Sequence, residues 1–132
     1  MEEKKVFLVD DDLIFRTAAT VLIKQIFPGY QISHFENGLE VYEKLIDLSE
    51  NQGQLPDLMF LDINMPVMNG WELLEELKSA PAIIRDQVQV HILTSSIAPE
   101  DMNLSKTYNF IDGYVTKPLT QQDLHRVAEY AQ

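Results

Sequence analysis

The sequence has no cysteine, and this absence excludes several kinds of protein. The chain cannot form a disulfide framework, and zinc sites built on thiolates and thiol catalysis are excluded as well. Proteins of a reducing compartment need no disulfides, so the absence is consistent with a cytoplasmic location. The 132 residues suit one compact domain that buries a core without such crosslinks.

Long apolar runs and basic clusters are also missing. No stretch approaches the roughly 20 residues that cross a bilayer, and the N-terminus has no signal-peptide pattern. Lysine and arginine number 10 against 21 acidic residues, which gives a formal net charge of −11. A chain of that charge repels nucleic-acid backbones and anionic membranes. We therefore expect a cytoplasmic protein that binds neither nucleic acid nor membranes.

What the sequence does contain is a regular alternation of short apolar runs and amphipathic segments. The apolar runs predict five strands, at 6–9, 30–35, 58–61, 88–93 and 113–115. Helical spacing and helix-breaking residues predict helices at 13–27, 37–49, 71–78, 99–108 and 120–131. Strands that are apolar on both faces are typical of a parallel sheet covered by helices on both sides. The pattern therefore predicts one α/β domain.

Polar residues follow the predicted strands at the end where each strand stops. They are Asp10, Asp11, Asp12, Asn37, Asp62, Asn64, Thr94, Ser95, Thr116, Lys117 and Pro118. In open parallel sheets, ligands bind beyond the carboxyl ends of the strands. These residues are therefore expected to form one site.

The acidic members of this set indicate a cation. Two carboxylates about 5 Å apart repel by about 3 kcal/mol at an effective dielectric constant of about 20. Mg²⁺ relieves such repulsion, because it prefers oxygen ligands and is usually held by carboxylates together with phosphate. Lys117 adds a positive charge and Thr94 a hydroxyl. Such a set suits phosphoryl transfer, in which a carboxylate can itself be the nucleophile.

Four stretches of the sequence resemble the receiver domains of two-component response regulators, and the resemblance covers about residues 4–130. The stretches are 6–11, 62–70, 92–94 and 113–118. The resemblance implies a flavodoxin-like three-layer α/β/α sandwich whose five-stranded parallel sheet has the order 2-1-3-4-5. It also implies a single receiver domain over 1–132 with no output domain.

The resemblance further implies a role for each acidic residue. Asp62 would accept the phosphoryl group. Asp11 would bind Mg²⁺ directly, together with Asp62 and the backbone carbonyl of Asn64, and Asp10 would act through a metal-bound water. Lys117 would pair with Asp62 at rest and with the phosphoryl group afterwards. Asp12, the third aspartate of the run, is expected to cap the first helix rather than bind metal.

The switch residues implied by the resemblance are Thr94 and Tyr114. Thr94 would move towards the phosphoryl oxygens and Tyr114 would change its rotamer with it, whereas Ser95 and Ser96 are interpreted as loop residues. The alternative for Tyr114 is a plain core aromatic. The bond between Lys117 and Pro118 is expected to be cis.

The expected function is that of a two-component response regulator. A sensor histidine kinase or a histidine phosphotransfer protein would donate a phosphoryl group from its phosphohistidine, and hydrolysis would be self-catalysed. The switch would act through a separate protein target, as a monomer or weak dimer, without being an enzyme. A role as a phosphorelay intermediate stays open.

Three alternatives come from other classes. A haloacid-dehalogenase-type aspartate phosphatase needs a second aspartate two residues after the nucleophile, where Asp62 is followed by Asn64. It would also need a hydroxyl where Ile14 stands if Asp10 were the nucleophile. An FMN-binding protein needs a phosphate loop after the first strand, where three aspartates would repel phosphate. A constitutive scaffold would not need the acceptor residues.

The first helix suggests a docking surface for the donor. At about 100° per residue, the core stripe is predicted to consist of Phe15, Ala18, Ala19, Leu22 and Ile26. The side opposite this stripe is predicted to carry Arg16, Thr17, Thr20 and Lys24. Ile14 and Val21 lie outside the stripe on one flank, and either a neighbouring helix or a partner would cover them. The resemblance favours docking of the histidine protein.

Overall fold

The computed structural model describes residues 3–95 and 98–131, in which one helix follows each of the five strands except the third, which is followed by two. The elements are β1 (Lys5–Val9), α1 (Leu13–Ile26), β2 (Gln31–Phe35), α2 (Gly38–Glu50), β3 (Leu58–Asp62), α3 (Gly70–Lys78), α4 (Ala82–Gln87), β4 (Gln89–Thr94), α5 (Pro99–Ser105), β5 (Ile111–Thr116) and α6 (Gln121–Ala131). Across these two ranges, no helix has both the length and the apolar character needed to cross a membrane.

The strands form one parallel sheet in the order β2-β1-β3-β4-β5. Side chains of β1 alternate between its faces, so Val6 and Leu8 pack on one side and Phe7 and Val9 on the other. The first side is covered by α1 and α6 and the second by α2, α3 and α4. The predicted three-layer sandwich and its strand order are confirmed.

The helix α4 and the strands β4 and β5 differ from the sequence prediction. The helix α4 was not predicted, because its six residues are too few to show a helical period. Val88 was assigned to the fourth strand but is the C-cap of α4, so β4 begins one residue later. The strand β5 begins at Ile111, two residues before the predicted start. Ile111 pairs with Val90 and Gly113 with His91, so the register of β4 and β5 shifts at this point.

The first helix is rotated relative to its predicted core stripe. Arg16 was placed opposite the stripe but is 6% exposed, whereas Ala18 was placed in the stripe and is exposed. Ile23 is fully buried instead. The spacing of apolar residues did not predict the burial of Arg16, because a guanidinium can be buried where carbonyl oxygens accept its hydrogen bonds. Its Nη1 donates to the backbone carbonyl of Asp10 at 2.5 Å.

Candidate functional site

Three carboxylates meet at the carboxyl ends of β1 and β3. Asp10 directly follows β1, Asp62 is the last residue of β3, and the two strands are neighbours in register. One carboxylate oxygen each from Asp10, Asp11 and Asp62 lies within 4.8 Å of the others. Asp10 and Asp62 are buried and Asp11 is exposed. This set of hard oxygen donors fits a divalent cation such as Mg²⁺.

Neighbouring groups bind both the backbone amide and the carboxylate of Asp10. It is fully buried, its amide donates to the carbonyl of Phe35 at 3.0 Å, and its Oδ1 accepts from the amide of Asp12 at 2.9 Å. Its Oδ2 lies 2.5 Å from the ammonium of Lys117. The Asp10 carboxylate is therefore fixed in place before any ligand arrives.

Asp62 lies at the floor of the site and is 3% exposed. Its Oδ1 accepts from the amide of Asn64 at 3.1 Å, and its Oδ2 lies 3.3 Å from the ammonium of Lys117. Burial raises the pKa of Asp62 and the charge of Asp10 adds to that rise, although the amide of Asn64 and the ammonium of Lys117 oppose it. The surroundings therefore favour the protonated, neutral form of Asp62. A cation bound nearby would instead stabilise its charged form.

Lys117 bridges the two buried carboxylates from the end of β5. Its amide donates to the carbonyl of Thr94 at 2.7 Å, and the peptide bond to Pro118 is cis, as the resemblance implied. Its ammonium lies 4.5 Å from the centre of the Phe15 ring. Burial lowers the pKa of Lys117, but its hydrogen bonds and ion pairs with Asp10 and Asp62 outweigh this and raise it.

This arrangement adds a contact to the predicted one. The sequence led us to expect Lys117 to pair with Asp62, whereas the structure places its ammonium closer to Asp10. No local signal distinguishes the two acceptors, because Lys117 is more than 50 residues away from both along the chain. Strand order alone brings all three side chains together.

Of the two predicted switch residues, Thr94 is the last residue of β4 and Tyr114 lies within β5. Thr94 is 1% exposed and Ser95 is exposed, while Ser96 lies outside the described residues. Tyr114 is half-buried, and its hydroxyl has no hydrogen-bond partner within the described part of the chain. Burial, with a further contribution from the charge of Asp101, raises the pKa of Tyr114.

The sequence did not predict a contact that joins α3 to α5. The Nε1 of Trp71, at the start of α3, donates to Asp101 at 3.2 Å. Its ring also stacks on Tyr108, with 6.1 Å between centroids. This contact joins the start of α3 to the first turn of α5. Residues 71 and 101 share no sequence pattern, so only the fold reveals the contact.

The remaining predicted residues lie around the rim. Asp12 caps α1, because its side chain accepts from the amides of Ile14 and Phe15, which confirms its predicted role. Asn64 is exposed in the β3–α3 loop. Ile14 and Val21 are 81% and 56% exposed, so the alternative that a neighbouring helix covers them is wrong.

Comparison with known families agrees with this geometry. Residues 6–129 match the family model of the response regulator receiver domain. The chain belongs to that family. Apart from Lys5, the match covers all five strands, and it includes every residue of the acidic cluster.

Individual relatives of this chain differ in length. The receiver is 36% identical over 97 residues, 74% of the chain, to a gliding motility regulatory protein from Myxococcus xanthus, and that alignment spans 11% of the relative. A crystal structure of a two-component response regulator from Cytophaga hutchinsonii is 30% identical, with a TM-score of 0.87, over 99% of this chain and 98% of that one.

A third similarity concerns the fold alone. The receiver domain of sensor histidine kinase PA1611 from Pseudomonas aeruginosa PAO1, solved with a magnesium ion coordinated in its active-site cleft, is 19% identical with a TM-score of 0.78, over 98% of this chain and 97% of that one. Among the curated relatives it first matches, the receiver spans between 11% and 55% of their lengths.

Proposed function

We propose that this receiver accepts a phosphoryl group onto Asp62 from a phosphohistidine, in a reaction that requires Mg²⁺. The observation that carries the proposal is the buried Asp62 carboxylate beside two further carboxylates and the ammonium of Lys117. Three carboxylates and one ammonium leave two negative charges in excess, and these balance one divalent cation. Labelling of the protein by acetyl phosphate, with Mg²⁺ and then with excess EDTA, tests the requirement for the metal.

The ligands proposed for Mg²⁺ are Asp11, Asp62 and the backbone carbonyl of Asn64, with Asp10 acting through a metal-bound water. When bound, Mg²⁺ supplies positive charge to the phosphoryl oxygens. The magnesium ion in the active-site cleft of the PA1611 receiver supports this proposal. The hydrogen bonds and the ion pair of Asp10 hold its carboxylate at the inner wall of the site.

The transfer step uses the Asp62 carboxylate as nucleophile. One of its oxygens forms a bond to phosphorus while the bond between phosphorus and the donor imidazole nitrogen breaks. The electron pair of that bond stays on the imidazole. The ammonium of Lys117, 3.3 Å from Asp62, is placed to pair with a phosphoryl oxygen of the product. Water later attacks phosphorus and releases phosphate, which regenerates the carboxylate.

The switch proposed for the product uses Thr94 and Tyr114. Thr94 is buried beside the site and would turn its hydroxyl towards a phosphoryl oxygen. Tyr114, whose hydroxyl lacks a partner within the described residues, would change its rotamer at the same time. The phosphorylated surface would then bind a separate protein target, in the cytoplasm, with the receiver acting as a monomer or weak dimer.

We propose a signalling switch rather than a phosphatase enzyme, and either an output or a phosphorelay role is compatible with it. If Asp10 were the nucleophile of a haloacid-dehalogenase-type site, Asp12 would supply the second carboxylate. The side chain of Asp12 instead caps α1. Purified protein should therefore release no p-nitrophenol from p-nitrophenyl phosphate in repeated turnovers. Sustained release would favour the phosphatase.

Asp11→Asn should weaken Mg²⁺ binding while it stabilises the metal-free fold. Removal of one charge from the cluster should raise the free energy of unfolding by about 1 kcal/mol, a small gain because Asp11 is exposed and solvent screens its charge. The Mg²⁺ dissociation constant should rise at least about tenfold, or about 1.4 kcal/mol. Urea titration without metal and calorimetric Mg²⁺ titration measure the two effects.

The matched control for this change is Asp12→Asn, one residue further along. Asparagine keeps the N-cap of α1, and Asp12 lies outside the cluster of three carboxylates. If Asp12→Asn weakened Mg²⁺ binding as strongly as Asp11→Asn, general acidity rather than direct ligation would explain the loss.

Ile14 and Val21 are proposed to dock the histidine protein. Both are exposed on α1, which begins directly after the acidic run. Changing both to glutamate should leave labelling by acetyl phosphate intact, because that small donor needs no docking surface. Transfer from the phosphorylated histidine protein should fall at least about tenfold, equivalent to about 1.4 kcal/mol. Equal losses with both donors would assign the flank a structural role.

A further inference from the structure

Val67 has a backbone conformation that valine rarely adopts. Its φ is 66°, and the amide of Met68 donates to the carbonyl of Pro66 across it at 2.8 Å. The three residues thus form a γ-turn with a positive φ at its centre, which is the strained form of that turn. A β-branched side chain is the least suited to this region, which favours glycine and asparagine.

The packing of the loop imposes this turn. The carbonyl of Met68 accepts from the amide of Gly38 at 2.8 Å, and a Cβ at Gly38 would lie 2.7 Å from that carbonyl. At the other end, a Cβ at Gly70 would lie 2.7 Å from the carbonyl of Asp62. The loop is therefore clamped between the start of α2 and the end of β3, so its conformation cannot relax to suit valine.

The fold does not explain the choice of valine. The side chain of Val67 is 73% exposed, so it contributes little to any core. Glycine or asparagine would adopt the same turn at lower cost. Strain of this kind persists where the surrounding structure enforces it, and it concentrates at functional sites. The remaining physical reason for an apolar, branched side chain at this position is therefore a contact with another molecule.

The position of Val67 identifies what makes that contact. The same loop begins with the acceptor Asp62, which is 3% exposed, so a donor must bring its phosphohistidine down into the site. The donor surface around that histidine then meets the two loops that border the site. Besides Val67, this rim carries Leu13 and Ile14, which are 65% and 81% exposed. These three exposed apolar side chains lie beside the exposed Asp11, Asp12 and Asn64, in a chain whose net charge is −11.

We infer that Val67 is a specificity-determining residue that contacts an apolar side chain of the histidine protein beside its phosphohistidine. The inference rests on the proposed function of Asp62. It adds a contact on the β3–α3 loop to the docking surface proposed on α1, and it gives a reason for the strained turn.

The test separates the side chain from the strain. The donor is the purified histidine kinase or phosphotransfer protein of the source organism that transfers fastest to the wild-type receiver. Val67→Asn, Val67→Gly and Val67→Ala should each lower that transfer at least about tenfold, and Val67→Ile should retain it. Asparagine and glycine should also raise Tm by about 3–6 °C, because they relieve the strain, whereas alanine should not.

Two controls make the result decisive. Labelling of every Val67 variant by acetyl phosphate should stay within about twofold of wild type. Ile83→Asn, an apolar-to-polar change on α4 at a residue 46% exposed, should leave protein-donor transfer unchanged. Transfer that survives in the asparagine, glycine and alanine variants would overturn the inference, and so would equal losses with both donors. Wild-type protein that acetyl phosphate does not label on Asp62 would instead refute the proposed function.

Discussion

Asp62→Asn is expected to abolish phosphorylation. The amide nitrogen and oxygen match the shape of the carboxylate but lack its nucleophilicity, so labelling by acetyl phosphate with Mg²⁺ should fall at least about 100-fold, or about 2.7 kcal/mol. Because burial raises the pKa of Asp62, removal of its charge should leave Tm equal to or above that of wild type. Intact-mass measurement and peptide mapping of hydroxylamine-labile acyl phosphate report the loss, and a thermal melt reports the fold.

Asp86→Asn is the matched control, since Asp86 is an exposed aspartate on α4. This variant should be labelled as wild type is, with the phosphate on Asp62. Phosphate recovered at wild-type level from Asp62→Asn would place the acceptor elsewhere. A folded Asp62→Asn protein without label, beside a labelled Asp86→Asn protein, would leave Asp62 as the acceptor.

Lys117→Met should impair both the chemistry and the metal-free fold. Removal of the ammonium leaves Asp10, which is fully buried, and Asp62 without their shared counter-charge. Loss of one partner from a buried ion pair is strongly destabilising, so we expect a decrease of about 2–4 kcal/mol in the free energy of unfolding without Mg²⁺. Labelling on Asp62 should fall about 100-fold, because charge on the phosphoryl oxygens is no longer neutralised.

Mg²⁺ separates the two effects of this change. The cation should bind the uncompensated carboxylates and restore part of the lost stability, while labelling stays low because the ammonium is still missing. Lys44→Met, at an exposed lysine of α2, should leave stability and labelling unaltered. Urea titrations at several Mg²⁺ concentrations measure the recovery. A Lys117→Met protein of wild-type stability without metal would contradict the ion-pair geometry.

The acidic edge of the sheet was predictable because its signals are local. The apolar runs before Asp10 and Asp62 mark two buried strands, and each run is stopped by a carboxylate. Parallel strands end at a common edge, so these residues were expected to converge, as the structure shows. The cap at Asp12 was also predictable, since capping depends on residues within one turn of the helix.

Other features depended on contacts that no local pattern encodes. The burial of Arg16 depends on a carbonyl six residues earlier that the strand end presents to it. The hydrogen bond from Trp71 to Asp101 joins residues 30 positions apart. The short helix α4 left no period to detect. In each case either a contact that the apolar pattern does not report or an element too short to show a period limited the prediction.

The sequence by itself therefore determined the alternation of strands and helices and the acidic edge of the sheet. It did so because periodicity, capping and strand termination are set by neighbouring residues. Only the tertiary structure decided that Lys117 lies closer to Asp10 than to Asp62, and that Val67 sits in a positive-φ turn. Both depend on how distant segments pack: strand order brings Lys117 to the two aspartates, and the clamp of Gly38 and Gly70 imposes the turn.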